Sequence, residues 1–219
     1  PEREEWGMRP YTVNAYYNPL NNEIVLPAAI LTVPAYAGND LDDAVLYGYI
    51  ATTIGHEITH GFDDSGRRFS ATGRMENGWT PATEKAFEAR CAKLIAQYDR
   101  EEPLKGIHIN GKQTLSENIA DLGGLALALD AFQQTETYKS GKLIAGQTPL
   151  QRFFLAYAFS FAGNVRDEQL ATRLLSDTHS PAKARINLIV RNLDAFYEAF
   201  PAKPSDALYL EPKERVRIW

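Results

Sequence analysis

The stretch TTIGHEITHGFDD, residues 52–64, decides how this chain is interpreted, because it places two histidines four positions apart with a glutamate between them. Residues four apart lie on one face of a helix, so His56 and His60 can direct two imidazoles at one point. This is the H-E-x-x-H pattern, in which the histidines bind zinc and the glutamate, here Glu57, acts as a general base. The alternative is an ordinary helix with one buried and one exposed histidine.

A catalytic zinc site needs a third ligand, since such sites combine three protein ligands with one open position. The segment ENIAD, residues 117–121, offers Glu117 as an acidic ligand on a second predicted helix. Asp121 shares a helix face with Glu117 and can accept the second ring N–H of a zinc-bound histidine, most simply His56. The alternative is two solvated carboxylates. Against it, the rest of that helix is nearly all apolar, and buried acids are costly unless they are paired or metal-bound.

The segment SDTHSPAKAR, residues 176–185, offers a positive group for the oxyanion of an acyl-transfer reaction. His179 is the candidate, with Asp177 as the partner that would orient it. Arg185 could hold a substrate carbonyl or carboxylate. Alone, this stretch is a weak signal, because a histidine before a helix is more often incidental.

The composition is that of a soluble globular protein, with 219 residues, 44% hydrophobic and 23% charged, and a formal net charge of −5. The lack of a basic cluster argues against nucleic acid and anionic membrane surfaces as partners. No apolar run approaches the roughly 18 residues that a membrane span needs. The single cysteine, Cys91, excludes an intrachain disulfide and is predicted to be a buried core residue, not a zinc ligand. The fourth histidine, His108, is assigned no role.

Hydrophobic periodicity predicts a mainly helical chain with a minor extended part near the N-terminus. Helical patterns cover residues 42–61, 80–98, 114–134, 149–163 and 180–200, and extended patterns flank a turn within residues 13–31. Thr80 and Ser180, each followed by proline, are predicted N-caps. A small hairpin is predicted to turn at Asn110–Gly111. Gly123 and Gly124, in the middle of a helix, indicate close packing against another element, since each costs roughly 1 kcal/mol relative to alanine.

Four segments, in this order along the chain, resemble the neprilysin and endothelin-converting-enzyme family of zinc endopeptidases, including its bacterial oligopeptidase O branch. They are VNAYYNP (13–19), IGHEITHGFDD (54–64), ENIADLGG (117–124) and DTHSPAKAR (177–185). The final VRIW segment is similar to the terminus of that family. A more distant thermolysin-like peptidase would share the H-E-x-x-H and E-x-x-x-D patterns, but it would not account for the NAYY and VRIW segments.

The fold that the resemblance implies is α+β and mainly helical: a zincin (thermolysin-like) metallopeptidase catalytic domain with a short N-terminal extended segment. The implied function is a zinc-dependent endopeptidase with one Zn²⁺ per chain. His56, His60 and Glu117 would be the zinc ligands, and Glu57 would be the catalytic base that assists the attack of zinc-bound water. Asp121 would orient a ligand histidine.

The resemblance also implies which residues would contact the substrate, an oligopeptide. His179 would stabilise the tetrahedral intermediate, with Asp177 behind it, and Arg185 would bind the substrate backbone. Asn14 and Ala15 would pair with the substrate backbone from an edge strand, a form of strand addition.

Family members cut peptides on the amino side of hydrophobic residues, and the pocket for that side chain is apolar. Ile30 and Phe161 match pocket positions, so a similar preference is expected. Animal members are rich in disulfides, whereas Val216 and Ala162 stand where the family has cysteines. These departures indicate a bacterial member that is stabilised by packing alone.

The resemblance covers essentially the whole chain, but the family's own chain is much longer and carries a large helical domain that caps the active site. The chain begins at Pro1 without a signal-peptide pattern. We therefore expect residues 1–219 to be the C-terminal catalytic portion of a longer chain, without the helical capping domain. The expected location is extracytoplasmic in a bacterium (periplasmic, secreted or surface), with the cytoplasm as the alternative.

A second functional hypothesis is a peptide-binding module that has lost catalysis. The retention of both histidines, the base, the third ligand and the oxyanion histidine speaks against it. The sequence leaves the oligomeric state open.

Overall fold

A computed structural model describes residues 5–34 and 41–218, so Pro1 and the Trp219 of the VRIW segment lie outside the described residues. Helices dominate these ranges, which confirms the mainly helical α+β prediction. None of the helices that the structure describes combines the length and the apolar character that a bilayer crossing requires. The α-helices are Asp43–Leu46 (α1), Thr52–His60 (α2), Pro81–Asp99 (α3), Leu115–Phe132 (α4), Glu136–Ser140 (α5), Pro149–Ser160 (α6), Asp167–Ser176 (α7), Ala182–Val190 (α8) and Asp194–Ala199 (α9).

The extended N-terminal segment forms a short antiparallel hairpin of Tyr16–Asn18 (β1) and Glu23–Val25 (β2), in which Tyr16 pairs with Val25. Asn22 in the turn has a positive φ of 50°, a conformation that asparagine tolerates better than most residues. Strand β1 contacts α2, so the hairpin runs beside the helix that carries the two histidines.

Helix α1 continues into α2 through a π-helical turn at Tyr47–Ala51, so one helical segment runs through the predicted range 42–61. The Asp42 side chain caps its start by accepting the backbone N–H of Ala44. A π-turn inserts an extra residue and rotates the helix after it, which the sequence periodicity did not predict. Gly48 lies in this turn, where a Cβ would come within 2.3 Å of the Phe153 carbonyl oxygen on α6.

The crossing of α2 and α4 has backbone packed directly on backbone. A Cβ on Gly55 would lie 2.7 Å from the carbonyl oxygen of Gly124, and a Cβ on Gly124 would lie 2.5 Å from the backbone nitrogen of His56. A Cβ on Gly123 would lie 2.6 Å from Cγ2 of Thr59. The prediction that the two α4 glycines mark close packing is therefore confirmed, and α4 lies against the turn of α2 that carries the histidines.

The core packs around α4, which contacts α3 and α8 and meets α6 through aromatic rings. Ile119, Leu125 and Phe132 of α4 are buried, and the Phe132 ring stacks on Phe153 with centroids 5.3 Å apart. Cys91 on α3 is a free thiol in the same core, as predicted.

One predicted turn is wrong. The chain does not reverse at Asn110–Gly111 but at Gly106, which has a positive φ of 78° between the paired residues Leu104 and Ile107. The Asn110 side chain instead accepts a backbone N–H in the turn that leads into α4. Asparagine followed by glycine is suited both to a hairpin turn and to a turn that leads into a helix, so the dipeptide alone did not distinguish the two.

The predicted cap at Ser180 is also wrong, although Thr80 does cap α3. Helix α8 begins at Ala182, and no side chain caps its N-terminus. The Ser180 hydroxyl donates instead to Oδ1 of Asn118, 2.8 Å away on α4. The predicted 180–200 helix is two helices, α8 and α9, which are separated at residues 191–193.

We predict that Gly124→Ala destabilises the protein by about 1–3 kcal/mol, the range for overpacking a close-packed interior. The added methyl would meet backbone atoms of α2 that cannot rotate away. Urea unfolding measures the change. The matched control is Gly78→Ala, because a Cβ there meets no described atom within 4 Å. Equal unfolding midpoints for the two variants would contradict the close backbone crossing.

Candidate metal centre

His56 and His60 lie on the face of α2 that looks into the cleft, as their i, i+4 spacing predicted. Their Nε2 atoms are 3.0 Å apart and the rings meet edge to face. The third predicted ligand reaches the same point from α4, where Oε2 of Glu117 lies 3.2 Å from Nε2 of His56 and 3.7 Å from Nε2 of His60.

Both histidines are held through their other ring nitrogen by a carboxylate. Nδ1 of His56 is 2.8 Å from Oδ1 of Asp121, and Nδ1 of His60 is 2.7 Å from Oδ2 of Asp63. Because an ionised carboxylate only accepts hydrogen bonds, each Nδ1 carries the hydrogen and donates it. If both rings were neutral, they would present two Nε2 lone pairs to each other, an arrangement that repels unless a proton or a cation lies between them.

Glu117 presents a carboxylate oxygen in need of a partner. Its Oε2 lies 3.2 Å from Nε2 of both His56 and His179, yet neither contact has hydrogen-bond geometry, so this buried oxygen accepts no hydrogen bond. Burial raises the pKa of Glu117, but the two neighbouring imidazoles outweigh it and hold the pKa well below its usual range. The group is therefore an ionised carboxylate and a competent metal ligand.

These three ligand atoms fit zinc. Their separations are 3.0, 3.2 and 3.7 Å. Four-coordinate zinc with bonds of roughly 2.0–2.1 Å holds its ligand atoms about 3.3–3.4 Å apart. Two imidazole nitrogens and one carboxylate oxygen are also a donor set that catalytic zinc uses. His56, His60 and Glu117 can therefore hold one ion without rearrangement of the helices.

The charge around this point also favours a cation. Glu57, Asp63, Glu117 and Asp121 are four carboxylates, and Arg185 is the guanidinium that faces them. Burial lowers the pKa of His56, but its contacts with Asp121 and Glu117 outweigh burial and raise the pKa to about 9. The surroundings thus stabilise positive charge at the point where the two histidines meet.

Glu57 lines the same cleft and is buried, with 5% of its surface exposed. Burial raises its pKa, while the neighbouring His56 and His60 act in the opposite direction. A carboxylate with a raised pKa is a stronger proton acceptor than one in water, which is the property that general-base chemistry needs.

Asp121 connects His56 to Arg185. Its Oδ2 accepts from Nε of Arg185 at 2.7 Å, and its Oδ1 accepts from Nη2 of the same side chain at 2.7 Å. Burial raises the pKa of Asp121, but Arg185 and His56 outweigh it and hold the pKa at about 2. Arg185 also lies over the ring of Phe161, 4.8 Å from its centroid. The sequence predicted Arg185 as a substrate contact and did not predict this bidentate pair.

His179 lies in the loop between α7 and α8 and projects into the cleft. Its Nδ1 is 3.0 Å from Oδ1 of Asp177, as the sequence predicted, and its Nε2 faces Glu117 at 3.2 Å. The contact with Glu117 raises the pKa of His179, so the imidazolium is favoured there. The described structure therefore places the Nε2 atom of His179, an imidazole whose protonated form is favoured, beside the candidate metal ligands.

The remaining predicted residues meet in the same cleft, which has a volume of about 700 Å³. Asn14 and Ala15 line it from the segment just before β1, and Ile30 and Phe161 contribute apolar wall. His108, which was assigned no role, is exposed and is not part of the lining.

Sequence reasoning missed Asp63 as the partner of His60. Asp63 is 2% exposed, and its Oδ2 also accepts a short hydrogen bond from Oγ of Ser116. Its Oδ1 accepts the backbone N–H groups of Ser65 and Gly66 at 2.8 and 2.6 Å. The signal was present in the HGFDD stretch, because in a zinc site each of the two histidines would need a partner for its second ring nitrogen.

Comparisons with known proteins agree with this geometry. Residues 14–216 match the sequence profile of Peptidase family M13. The neutral endopeptidase of Lactococcus lactis subsp. lactis is 37% identical over 218 residues, which cover 100% of this chain and 33% of that protein. Endothelin-converting enzyme 1 of Bos taurus is 35% identical over 222 residues, which cover 100% of this chain and 29% of that protein. The chain thus spans about a third of the length of the curated relatives it matches.

A solved structure of the zinc metalloprotease ZMP1 of Mycobacterium tuberculosis, in complex with an inhibitor, has the same fold. It aligns with a TM-score of 0.95 at 45% sequence identity, over 100% of this chain and 34% of that chain. Because the family match runs from Asn14 to Val216, we conclude that this chain belongs to peptidase family M13, as its four motifs predicted.

Proposed function

We propose that the protein is a zinc-dependent endopeptidase that hydrolyses oligopeptides on the amino side of hydrophobic residues. The observation that carries the proposal is the convergence of His56, His60 and Glu117, whose ligand atoms lie within 3.7 Å of one another. Relatives named neutral endopeptidase and endothelin-converting enzyme support the reaction class.

The metal centre would hold one zinc ion through His56, His60 and Glu117. Asp121 and Asp63 act as positioning residues, because each fixes the ring orientation of one histidine through its Nδ1–H. Zinc, when bound, lowers the pKa of a water molecule and polarises a carbonyl group.

Glu57 is the general base in this proposal. It takes a proton from the attacking water as the water oxygen bonds to the scissile carbonyl carbon. It then delivers that proton to the leaving amine nitrogen as the carbon–nitrogen bond breaks. Its buried position beside the two histidines supports this role.

Two cationic side chains would form hydrogen bonds with the substrate. His179 donates its Nε2–H to the carbonyl oxygen as that oxygen gains negative charge, with Asp177 fixing the ring. Arg185 binds a backbone carbonyl of the substrate, held in place by its pair with Asp121.

The peptide backbone would add alongside β1, where Asn14 and Ala15 line the cleft. Ile30 and Phe161 would form the apolar side of the pocket for the residue that comes after the cleaved bond. These two residues support the proposed preference for hydrophobic side chains.

The proposal extends to the place of this chain in the whole protein. Since the chain spans about a third of the relatives it matches, we infer that it is their C-terminal catalytic portion and that a helical domain caps the cleft. An extracytoplasmic location in a bacterium, in the periplasm, at the surface or secreted, is also proposed from the family resemblance.

Glu57→Gln in the intact protein is predicted to lower kcat by about 10²–10⁴-fold while zinc stays bound, because the amide cannot accept the proton. Cleavage of a fluorogenic oligopeptide with a hydrophobic residue after the scissile bond measures turnover, and elemental analysis measures zinc. The matched control is Glu136→Gln on α5, whose carboxylate is exposed to solvent. Normal turnover in Glu57→Gln would refute the base assignment, and zinc and peptide binding without turnover in the wild type would indicate a binding module.

Glu117→Ala is predicted to weaken zinc binding by more than about 100-fold, since it removes a direct ligand where even outer partners contribute 10–100-fold. Zinc per chain after dialysis against a competing chelator measures the effect. Asp130→Asn is the matched control, because Asp130 is an exposed acid on the same helix. Full zinc retention in Glu117→Ala would show that the third ligand lies elsewhere.

A further inference from the structure

The loop that carries His179 is fastened to the start of α4 on both sides of the histidine. Before it, Nε2 of Gln113 donates to the carbonyl oxygen of Asp177 at 2.9 Å. After it, Oγ of Ser180 donates to Oδ1 of Asn118 at 2.8 Å. The short connection between α7 and α8 is therefore tied to the helix that carries Glu117.

The second of these ties is part of a buried chain of hydrogen bonds that all point the same way. Ser180 donates to Asn118, Nδ2 of Asn118 donates to Oγ1 of Thr114 at 2.9 Å, and Thr114 donates to the carbonyl oxygen of Asn110 at 3.1 Å. Asn118 is fully buried, and Ser180 is 1% exposed. Because each donor has one acceptor, the orientation of the Asn118 amide is fixed, and the network specifies one arrangement.

The Ser180–Asn118 hydrogen bond affects the site because each of its two residues is the sequence neighbour of a site residue. Asn118 comes directly after the candidate ligand Glu117, and Ser180 comes directly after His179. The Ser180–Asn118 bond therefore sets the distance between the two backbones from which the Glu117 and His179 side chains project. Those side chains meet at 3.2 Å, between Oε2 and Nε2.

The side-chain contacts of Asp177 cannot replace this tie, and its carbonyl oxygen is held by Gln113 on the side of the loop before His179. The Asp177 carboxylate accepts from both the backbone N–H and the ring of His179, but it belongs to the same loop and moves with it. The other partner of that carboxylate, Arg173, is on α7. These bonds orient the imidazole within the loop, whereas Ser180 and Asn118 fix the loop against α4.

We propose that Ser180 and Asn118 are positioning residues, whose buried hydrogen bond holds His179 where it can stabilise the oxyanion. The inference rests on the proposed function, because it gives His179 a role in the reaction. Removal of the bond loosens the loop on the side after His179, where the Gln113 bond does not hold it, and lowers the fraction of molecules in which His179 is in reach of the carbonyl oxygen.

The first test is Ser180→Ala in the intact, zinc-loaded protein. We expect kcat to fall about 10-fold, less than the 10²–10³-fold expected for removal of the oxyanion donor itself, while KM changes less than twofold and zinc is retained. Ser176→Ala is the matched control, since that hydroxyl donates to a helix carbonyl in an exposed position nearby and no change is expected. An unchanged kcat in Ser180→Ala would overturn the proposal.

A double-mutant cycle separates positioning from a general structural role. In a His179→Ala background, Ser180→Ala is expected to change kcat by less than twofold, because there is no imidazole left to position. The same 10-fold loss in both backgrounds would show that Ser180 acts through something other than His179, and the proposal would fail.

A double variant controls for any loss of stability in Ser180→Ala. Ser180→Ala leaves the buried Oδ1 of Asn118 without a partner, whereas Ser180→Ala with Asn118→Leu removes both polar partners and can be nearly neutral for folding. The double variant is expected to show the same loss in kcat at near wild-type stability. Wild-type kcat in a folded double variant would refute the positioning role.

Hydrogen exchange gives a readout that needs neither metal nor substrate. The amide of His179 donates to Asp177 inside a loop that the Ser180–Asn118 bond holds in one conformation. Exchange of a peptide spanning residues 177–181 is expected to rise at least 10-fold in Ser180→Ala, because the loop then opens often enough to break its internal hydrogen bond. Unchanged exchange would contradict the inference. If the wild type cleaves no peptide, the proposed function fails; if it cleaves and Ser180→Ala is as fast, this inference alone fails.

Discussion

The close contact between the backbones of α2 and α4 is the constraint on which the rest of the site depends. Glycines at positions 55 and 124 let the two helices meet without side chains between them. At that separation, imidazoles from one helix and a carboxylate from the other reach a common point. The hydrophobic core around α4 holds the helix in this place, so the packing of the core fixes the positions of the candidate ligands.

The cluster that results contains more negatively charged groups than positively charged ones. Each histidine is held by a buried carboxylate, a third carboxylate faces both rings, and one guanidinium stands opposite. The surroundings therefore stabilise positive charge, which a divalent cation would provide at the point where the Nε2 atoms converge. The same carboxylates that favour the cation also fix the histidine tautomers, so the same groups promote metal binding and orient the histidine rings.

The sequence predicted the parts of the site that depend on helical spacing or on a motif. His56, His60 and the Glu117–Asp121 pair each depend on i, i+4 geometry, and the glycines in α4 could be interpreted from their cost in a helix. The partner of Arg185, by contrast, depends on where two helices lie in space.

Other features that the sequence analysis did not predict also depend on more than a local pattern. The π-helical turn before α2 could not be predicted from a hydrophobic pattern with a 3.6-residue period. The Ser180–Pro181 sequence does not reveal whether the serine caps a helix or forms a hydrogen bond with Asn118. Asp63 was within reach, because its spacing from His60 was in the sequence, but a carboxylate partner was predicted for only one of the two histidines. Local patterns thus predicted the candidate ligands that the structure brings together, while most of the groups that hold them required tertiary structure.

X-ray absorption spectroscopy of the intact protein with one equivalent of zinc tests the central claim, a zinc centre held by His56, His60 and Glu117, most directly. We predict two imidazole nitrogens and carboxylate oxygen at roughly 2.0–2.1 Å from the metal, and loss of one imidazole in His60→Ala. A zinc–sulfur distance of about 2.3 Å, or an unchanged imidazole count in His60→Ala, would contradict it.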